Sequence, residues 1–177
     1  AYLFDWRYPQ FLASPAQLAE RWRWHQLGQR PPYSLGDLIL PDSPAVLFES
    51  WYDPETTDDG LAFRWSNGPS ARLVFRPAGS HWVNGDRLVL NLSLDTFREQ
   101  TVYVFFNQRK VGVFSSQARP LEVSFGLPTR LVYRNRPNVI EFVIPGAVSP
   151  AEVVPGHGDS RVLGVLFRQA SITTPAP

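Results

Sequence analysis

Cysteine and methionine are both absent from this 177-residue sequence, and lysine occurs once, as Lys110. Without cysteine, disulfide bonds, thiolate catalysis and cysteine-ligated metal sites are excluded. The lack of methionine even at position 1 suggests a processed chain or a piece of a longer protein. No run approaches the 18 apolar residues that a membrane-spanning helix needs, so we expect no transmembrane segment.

Net charge is also scarce, since 17 basic residues nearly balance 16 acidic ones and leave a formal charge of +1. A chain this close to neutral has no general field to steer nucleic acid or an anionic membrane towards it, and the sequence shows no clustered basic stripe. We therefore expect no nucleic-acid partner.

Catalytic constellations are lacking too. Of the three histidines, only His157 has a serine and an aspartate nearby, in Gly156–Ser160, and neighbours in sequence cannot easily stack as a relay. Paired carboxylates could hydrolyse glycosides, but nothing in the sequence brings two of them to a defined separation. The sequence thus favours a protein that is not an enzyme.

The sequence does contain the alternation of apolar and polar residues that is typical of β-strands. In 87–95, Leu88, Leu90, Leu92 and Leu94 alternate with Val89 and polar residues, which predicts a strand with one face on a core and the other in water. Turn signals separate this strand from eight others, and the predicted set is 45–52, 61–65, 71–76, 87–95, 101–107, 111–114, 121–125, 139–144 and 162–172. Nine short strands without crossover helices predict an all-β fold, an antiparallel jelly-roll-like β-sandwich.

The sequence divides into three parts. Residues 1–44 are predicted to be an N-terminal lead with one helix over about 15–27, because Ser14 can cap it, Pro15 suits its first position and Gly28 can end it. The β-sandwich domain is predicted over 45–172. Residues 173–177 form a tail.

An aromatic and polar cluster lies on or beside the first two predicted strands. Flat rings can stack on the C–H faces of pyranose sugars, while neighbouring carboxylate, amide and guanidinium groups bind hydroxyls. The alternative is that Trp51, Phe63 and Trp65 are core residues of the sandwich, and the usual burial of large aromatic residues favours this for at least two of the three. The carbohydrate-binding hypothesis assigns the site to Trp51, Tyr52, Glu55, Arg64, Trp65 and Asn67.

Two structural hypotheses concern the acidic residues. Arg161, at the start of the last strand, is predicted to pair with Asp159, Asp53 or Glu55 and so to lock one end of the sandwich. Calcium is the one cofactor considered, with Asp53, Glu55 and Asp159 as weak candidate ligands, because their spacing matches no compact calcium loop.

Five sequence segments, taken in the order in which they occur, resemble a β-sandwich accessory domain of bacterial membrane glycosyltransferases and phosphoglycerol transferases. The segments are Trp51–Glu55, Phe63–Ser66, Ser70–Phe75, Phe142–Glu152 and Gly158–Val165. The resemblance covers 45–172 and implies a non-catalytic, periplasmic or otherwise extracytoplasmic module, attached to or associated with a membrane protein. The chain departs from the pattern at the central hairpin, where Asn107-Gln108-Arg109 replaces the usual Asn-Gly pair.

Together these observations predict a non-enzymatic carbohydrate-binding or accessory module in bacterial envelope glycan or exopolysaccharide synthesis. Its expected partner is a glycan or polysaccharide, with a membrane-bound glycosyltransferase or the parent chain as a further partner. The alternative is a protein–protein docking module of a membrane glycan-assembly complex, which would use Trp6, Trp22 and Trp24. A glycoside hydrolase is the third and least supported hypothesis.

Overall fold

The protein is a two-layer β-sandwich. The structure is a computed structural model that describes residues 14–79, 82, 87–116 and 120–175. Ten strands in this described part form two five-stranded antiparallel sheets, which confirms the predicted jelly-roll-like sandwich. The strands are β1 (Val46–Glu49), β2 (Glu55–Thr56), β3 (Ala62–Trp65), β4 (Ser70–Phe75), β5 (Arg87–Thr96), β6 (Gln100–Phe106), β7 (Arg109–Ser116), β8 (Leu121–Pro128), β9 (Asn138–Val143) and β10 (Val165–Thr173).

Sheet I has the strand order β1-β4-β9-β6-β7, and sheet II has the order β2-β3-β10-β5-β8. Each of the nine predicted strands overlaps an observed one, and only the two-residue β2 was not predicted. A short helix α2 (Pro150–Val153) and a 3-10 turn (Thr129–Leu131) lie between strands. No helix in the described part of the chain is both long enough and apolar enough to cross a membrane.

The core lies between the sheets, and β5 supplies one row of it. Leu88, Leu90, Leu92 and Leu94 are each no more than 1% exposed, as the alternation predicts. Strand β5 pairs with β8 on one side and β10 on the other, so it has a partner along both edges. Its leucine face is therefore fixed by two registers at once.

Helix α1 (Pro15–Gly28) packs on the outer face of sheet I. It begins with the predicted cap: the Ser14 hydroxyl accepts a hydrogen bond from the Gln17 backbone N–H, and the Gln17 side chain accepts one from the Ser14 N–H. At its other end Leu27 is buried against Leu47 and Val74 of sheet I. Most other residues of α1 are exposed, so the helix is held mainly by its last turn.

The segment that follows α1 belongs to the sandwich. Tyr33 and Ile39 are 2% and 0% exposed, and both lie in the main core. The backbone of Ile39 exchanges hydrogen bonds with Ala170 of β10. This part of the predicted 1–44 lead is thus built into the same core as the strands.

The turn between β6 and β7 adopts left-handed backbone angles without glycine. Asn107 has φ 47° and Gln108 φ 68°, the signs that a type I′ hairpin turn requires. The Asn107 side chain donates to the Leu131 carbonyl (2.7 Å) and to Asn138 Oδ1 (2.8 Å), and it accepts from the Val139 N–H (2.8 Å). These bonds hold the turn against the connection between β8 and β9.

Candidate functional site

A cleft of about 490 Å³ lies where α1, sheet I and the β6–β7 turn meet. We call it the α1 cleft. Its volume falls in the usual range for small-ligand sites, and its lining is about equally polar and apolar, whereas most such sites are mainly apolar. It is lined by Ala16, Ala19, Glu20 and Arg23 of α1, by Arg72, Val139 and Glu141 of sheet I, and by Asn107, Gln108, Tyr133, Arg136 and Pro137.

A charged row crosses sheet I along one side of this cleft. Glu49, Arg72 and Glu141 are register partners on β1, β4 and β9. Arg72 contacts Glu141 at 2.7 Å and Glu49 at 3.9 Å, and the Ser70 hydroxyl also donates to Glu141 at 3.0 Å. Arg23 of α1 donates two bonds to Glu49, at 2.6 and 2.8 Å, and the hydrogen bond raises the pKa of Arg23. The row therefore presents polar groups whose positions are fixed by one another.

The lining of the α1 cleft also includes an exposed aromatic residue. Tyr133 is 42% exposed, and its backbone N–H and carbonyl are both bonded to the Asn138 side chain at 2.8 Å. The Arg136 guanidinium lies 6.0 Å from the centre of the Tyr133 ring. A ring beside amide, guanidinium and carboxylate groups can stack on a sugar while those groups bind its hydroxyls.

Trp51, the first residue of the predicted sugar site, is in the core. It is 9% exposed, its ring packs edge-on against Phe142 at 5.7 Å, and its indole N–H donates to the Arg72 carbonyl at 2.9 Å. A second ring, Phe167, lies 5.6 Å from it. With its ring enclosed and its polar atom satisfied, Trp51 has no free face for a sugar, and this part of the prediction is corrected.

Arg64 is also directed into the sandwich. Its guanidinium lies 4.5 Å from the centre of the Phe48 ring and donates to the carbonyls of Tyr52 (2.9 Å) and Pro41. Burial lowers the pKa of Arg64, as expected for a cation taken out of water. Two of its donor nitrogens, Nε and Nη1, bind backbone carbonyls, which supports a structural role.

The remaining predicted site residues lie towards the surface. Trp65 is half-buried and pairs across sheet II with Leu166, and Asn67 is exposed. The Tyr52 hydroxyl accepts a hydrogen bond from the Val162 N–H at 3.2 Å. None of the six predicted sugar-binding residues lines the α1 cleft.

Arg161 joins Asp159 to Glu55. Its guanidinium contacts Glu55 at 2.5 Å and Asp159 at 2.9 Å, and it lies 5.3 Å from the centre of the Tyr52 ring. Its hydrogen bonds lower the pKa of Asp159, and those carboxylates raise the pKa of Arg161. Two of the three partners suggested by the sequence are thus brought to one guanidinium.

The contacts of Arg161 do not favour a calcium site at Asp53, Glu55 and Asp159. The carboxylates of Glu55 and Asp159 are occupied by Arg161. Across the described ranges, no group of three or more histidine, aspartate or glutamate side chains lies close enough to hold a metal ion.

Sequence reasoning did not identify the α1 cleft. The polar residues of the charged row alternate with apolar neighbours on their strands, and this pattern predicts that they face outward. The register that brings the three strands into line cannot be predicted from the sequence of any single strand. The sequence around Asn107 predicts only a turn. The run from Tyr133 to Pro137 carried no signal beyond that of a polar loop.

No protein-family model matches the chain, and no curated protein matches it. Solved structures do match its fold. A β-(1,4)-mannanase from Podospora anserina that combines a family 26 glycoside hydrolase with a family 35 carbohydrate-binding module aligns with a TM-score of 0.50 and 12% identity, over 80% of this chain and 28% of that one.

Two isolated modules align over nearly their whole length. A family 35 carbohydrate-binding module from Paenibacillus barcinonensis has a TM-score of 0.49 and 10% identity over 79% of this chain and 100% of that one. The C-terminal family 6 module of a laminarinase from Zobellia galactanivorans has a TM-score of 0.49 and 10% identity over 78% and 98%. At these identities the mannanase match shows the fold of this chain, a β-sandwich.

Proposed function

We propose that the protein is a non-catalytic carbohydrate-binding module. The observation that carries the proposal is the α1 cleft, which is lined by the exposed ring of Tyr133 and by the paired polar groups of Arg72 and Glu141. That combination suits the two faces of a sugar, one apolar and one rich in hydroxyls. The family 35 carbohydrate-binding module named in the mannanase match supports a role in carbohydrate binding for this kind of fold.

We propose a non-catalytic module because carboxylates beside the cleft are hydrogen-bonded to guanidinium groups of the protein. Glycoside hydrolysis needs one carboxyl group that gives a proton to the glycosidic oxygen and another on the opposite side of the bond. Among the described carboxylates at the cleft, Glu49 and Glu141 are each hydrogen-bonded directly to a guanidinium, Glu49 to Arg23 and Glu141 to Arg72, which leaves Glu20 of α1 as a single carboxylate where two are needed. These bonds direct the carboxylates to protein partners.

We place the module in bacterial envelope glycan or exopolysaccharide synthesis, in the periplasm or another extracytoplasmic space. The support for this setting is the resemblance of residues 45–172 to accessory domains of membrane glycosyltransferases and phosphoglycerol transferases. A membrane-bound enzyme of that kind, or the parent chain, would hold the module close to its glycan.

Titration of the whole chain with a panel of soluble polysaccharides tests the proposal. Tyr133→Ala should weaken binding about fivefold or more, since an aromatic contact contributes on the order of 1 kcal/mol beyond its buried area. Trp22→Ala is the matched control, because Trp22 is 51% exposed on α1 but does not line the cleft. Lack of binding to every glycan, or equal loss in both variants, would exclude the α1 cleft as the site.

One observation favours the docking module as the second candidate function. Leu18 and Trp22 are 56% and 51% exposed and lie four residues apart, on one side of α1. Trp24 is half-buried, and Trp6 lies outside the described residues. If docking is the function, Trp22→Ala should reduce capture of the membrane glycosyltransferase while Tyr133→Ala leaves it unchanged.

A further inference from the structure

A second cleft, of about 620 Å³, lies beyond the β6–β7 turn. We call it the hairpin cleft. Three of its seven lining residues are cationic, and no acidic residue is among those that the structure places around it. It is lined by Arg109, Lys110, Val111, Gly126, Pro128, Arg130 and Leu131.

The cations of the hairpin cleft differ from the other arginines of the protein in their partners. Within the described ranges, the ion pairs are made by Arg23, Arg72 and Arg161. Arg109, Lys110 and Arg130 are exposed, and none of them lies within 4 Å of a described carboxylate. Their donors are therefore free to meet an anion from solution.

Nearby segments continue this bias in charge. Among the described residues between Gln100 and Asn138, five are basic and one, Glu122, is acidic. Glu122 lies near the start of β8, whereas the hairpin cleft lies at the end of that strand, about 20 Å away at 3.3 Å per residue. Although the whole chain has a net charge of only +1, the described residues of the β6–β7 hairpin and of the connection between β8 and β9 thus carry an excess of positive charge.

The two clefts are neighbours. Gln108 lines the α1 cleft and Arg109 lines the hairpin cleft, and the Cα atoms of consecutive residues are about 3.8 Å apart. The Lys110 ammonium lies 5.2 Å from the centre of the Tyr103 ring, as Arg136 lies close to Tyr133 in the α1 cleft. Tyr103 itself does not line the hairpin cleft, so the ring available to a sugar is Tyr133 of the α1 cleft. A ligand longer than one sugar can contact both clefts across the turn.

From this arrangement we infer that the ligand is an acidic polysaccharide, whose carboxylate groups bind Arg109, Lys110 and Arg130 while its sugar rings occupy the α1 cleft. This inference rests on the proposed carbohydrate-binding function and adds the class of sugar. Guanidinium groups match carboxylates by forming two parallel hydrogen bonds, and such charge-assisted bonds are stronger than neutral ones. Because these cations are exposed, added salt should weaken the interaction.

The test is calorimetric titration of the whole chain with acidic polysaccharides, such as polygalacturonate and alginate, each paired with its carboxyl-reduced counterpart. The two members of a pair share their linkages and differ in charge. We expect the acidic member to bind about tenfold more tightly or better, with a smaller difference at high salt. The triple variant Arg109→Gln, Lys110→Gln, Arg130→Gln should abolish the preference while retaining the binding that the α1 cleft provides.

Arg98→Gln is the control variant, because Arg98 is an exposed arginine in the connection between β5 and β6, at the other end of β6 from the hairpin. It should keep the full preference. Circular dichroism melting curves will verify that the triple variant is folded, and single substitutions replace it if it is not.

The outcomes separate the two proposals. Equal affinity for acidic and reduced polymers, or a preference that survives the triple variant, overturns the inference and leaves the proposed function intact. Binding to polyglutamate as tight as that to the acidic sugars also overturns it, since the site would then accept polyanions in general. Binding to none of the polysaccharides, acidic or neutral, overturns the proposed function and the inference together.

Discussion

Tyr33 is the residue that ties the N-terminal segment to the last strand. Its ring packs against Phe75 at 5.2 Å and Trp82 at 5.5 Å. Its hydroxyl donates to the Asp37 carbonyl at 2.7 Å and accepts from the Ile172 N–H at 3.0 Å. Burial raises the pKa of Tyr33 to about 12, because the phenolate would lose its hydration.

This shift predicts a loss of stability in alkali. The folded state favours the neutral phenol, so the stabilisation is complete below the ordinary tyrosine pKa of about 10 and is lost as the pH rises from there to about 12. A shift of that size corresponds to about 2–3 kcal/mol. Urea denaturation at a series of pH values should show this fall in the free energy of unfolding.

Tyr33→Phe should remove this pH dependence. At neutral pH it should cost roughly 1–3 kcal/mol, because the Ile172 N–H and the Asp37 carbonyl lose their partner in the core. Tyr133→Phe, at an exposed tyrosine, serves as the control and should retain the alkaline loss. The assignment to Tyr33 fails if both variants lose the same stability between neutral pH and strong alkali.

At the scale of elements, α1 is joined to the sandwich by few contacts. Leu27 is its one buried residue, and the Arg23–Glu49 pair is a second attachment. Exposed helices of this length are only marginally stable by themselves in water. The helix and the sheets should therefore open separately.

Leu27→Ala tests this separation. Amide hydrogen exchange should quicken throughout α1, while protection of β4 and β9 stays as in the unchanged chain. Leu18→Ala, which removes an exposed leucine from the same helix, should alter neither. Equal gains in exchange in α1 and in β4 would show instead that helix and sandwich form one cooperative unit.

The elements also show what can be predicted from a sequence. Alternating leucines placed β5, and the Ser14–Gln17 box placed the start of α1, because both signals are local. The burial of Trp51 could not be decided in the same way, since a tryptophan beside polar residues suits a sugar site as well as a core. The α1 cleft depends on contacts between Arg23 and Glu49, 26 residues apart, which local patterns do not specify.

On the scale of the whole molecule, the sandwich begins before the boundary at residue 45 that strand patterns suggest. Tyr33 and Ile39 fill the same core as the strands, so their loss would leave that core open. Each fully buried large side chain contributes roughly 2–5 kcal/mol, a large share of a typical domain stability of about 5–15 kcal/mol.

Truncation measures this dependence. A chain lacking residues 1–28 should fold with a modest loss of stability, whereas one lacking residues 1–44 should unfold or melt at a much lower temperature. Differential scanning calorimetry of the two truncated chains gives the comparison. Similar melting temperatures would mean that Tyr33 and Ile39 are dispensable to the fold.

The position of β10 sets the time at which the protein can fold during synthesis. This strand lies in the middle of sheet II, between β3 and β5, yet it is made about 100 residues after β3. At ribosomal speeds of 5–20 residues per second, β10 is synthesised roughly 5–20 s after β3. Until then, the strands on its two sides, β2-β3 and β5-β8, cannot be joined into one sheet. During that interval the edges of β3 and β5 have unpaired backbone groups, which are open to strands of other chains. The nascent protein should therefore depend on chaperones that shield these edges until residue 173 has left the ribosome.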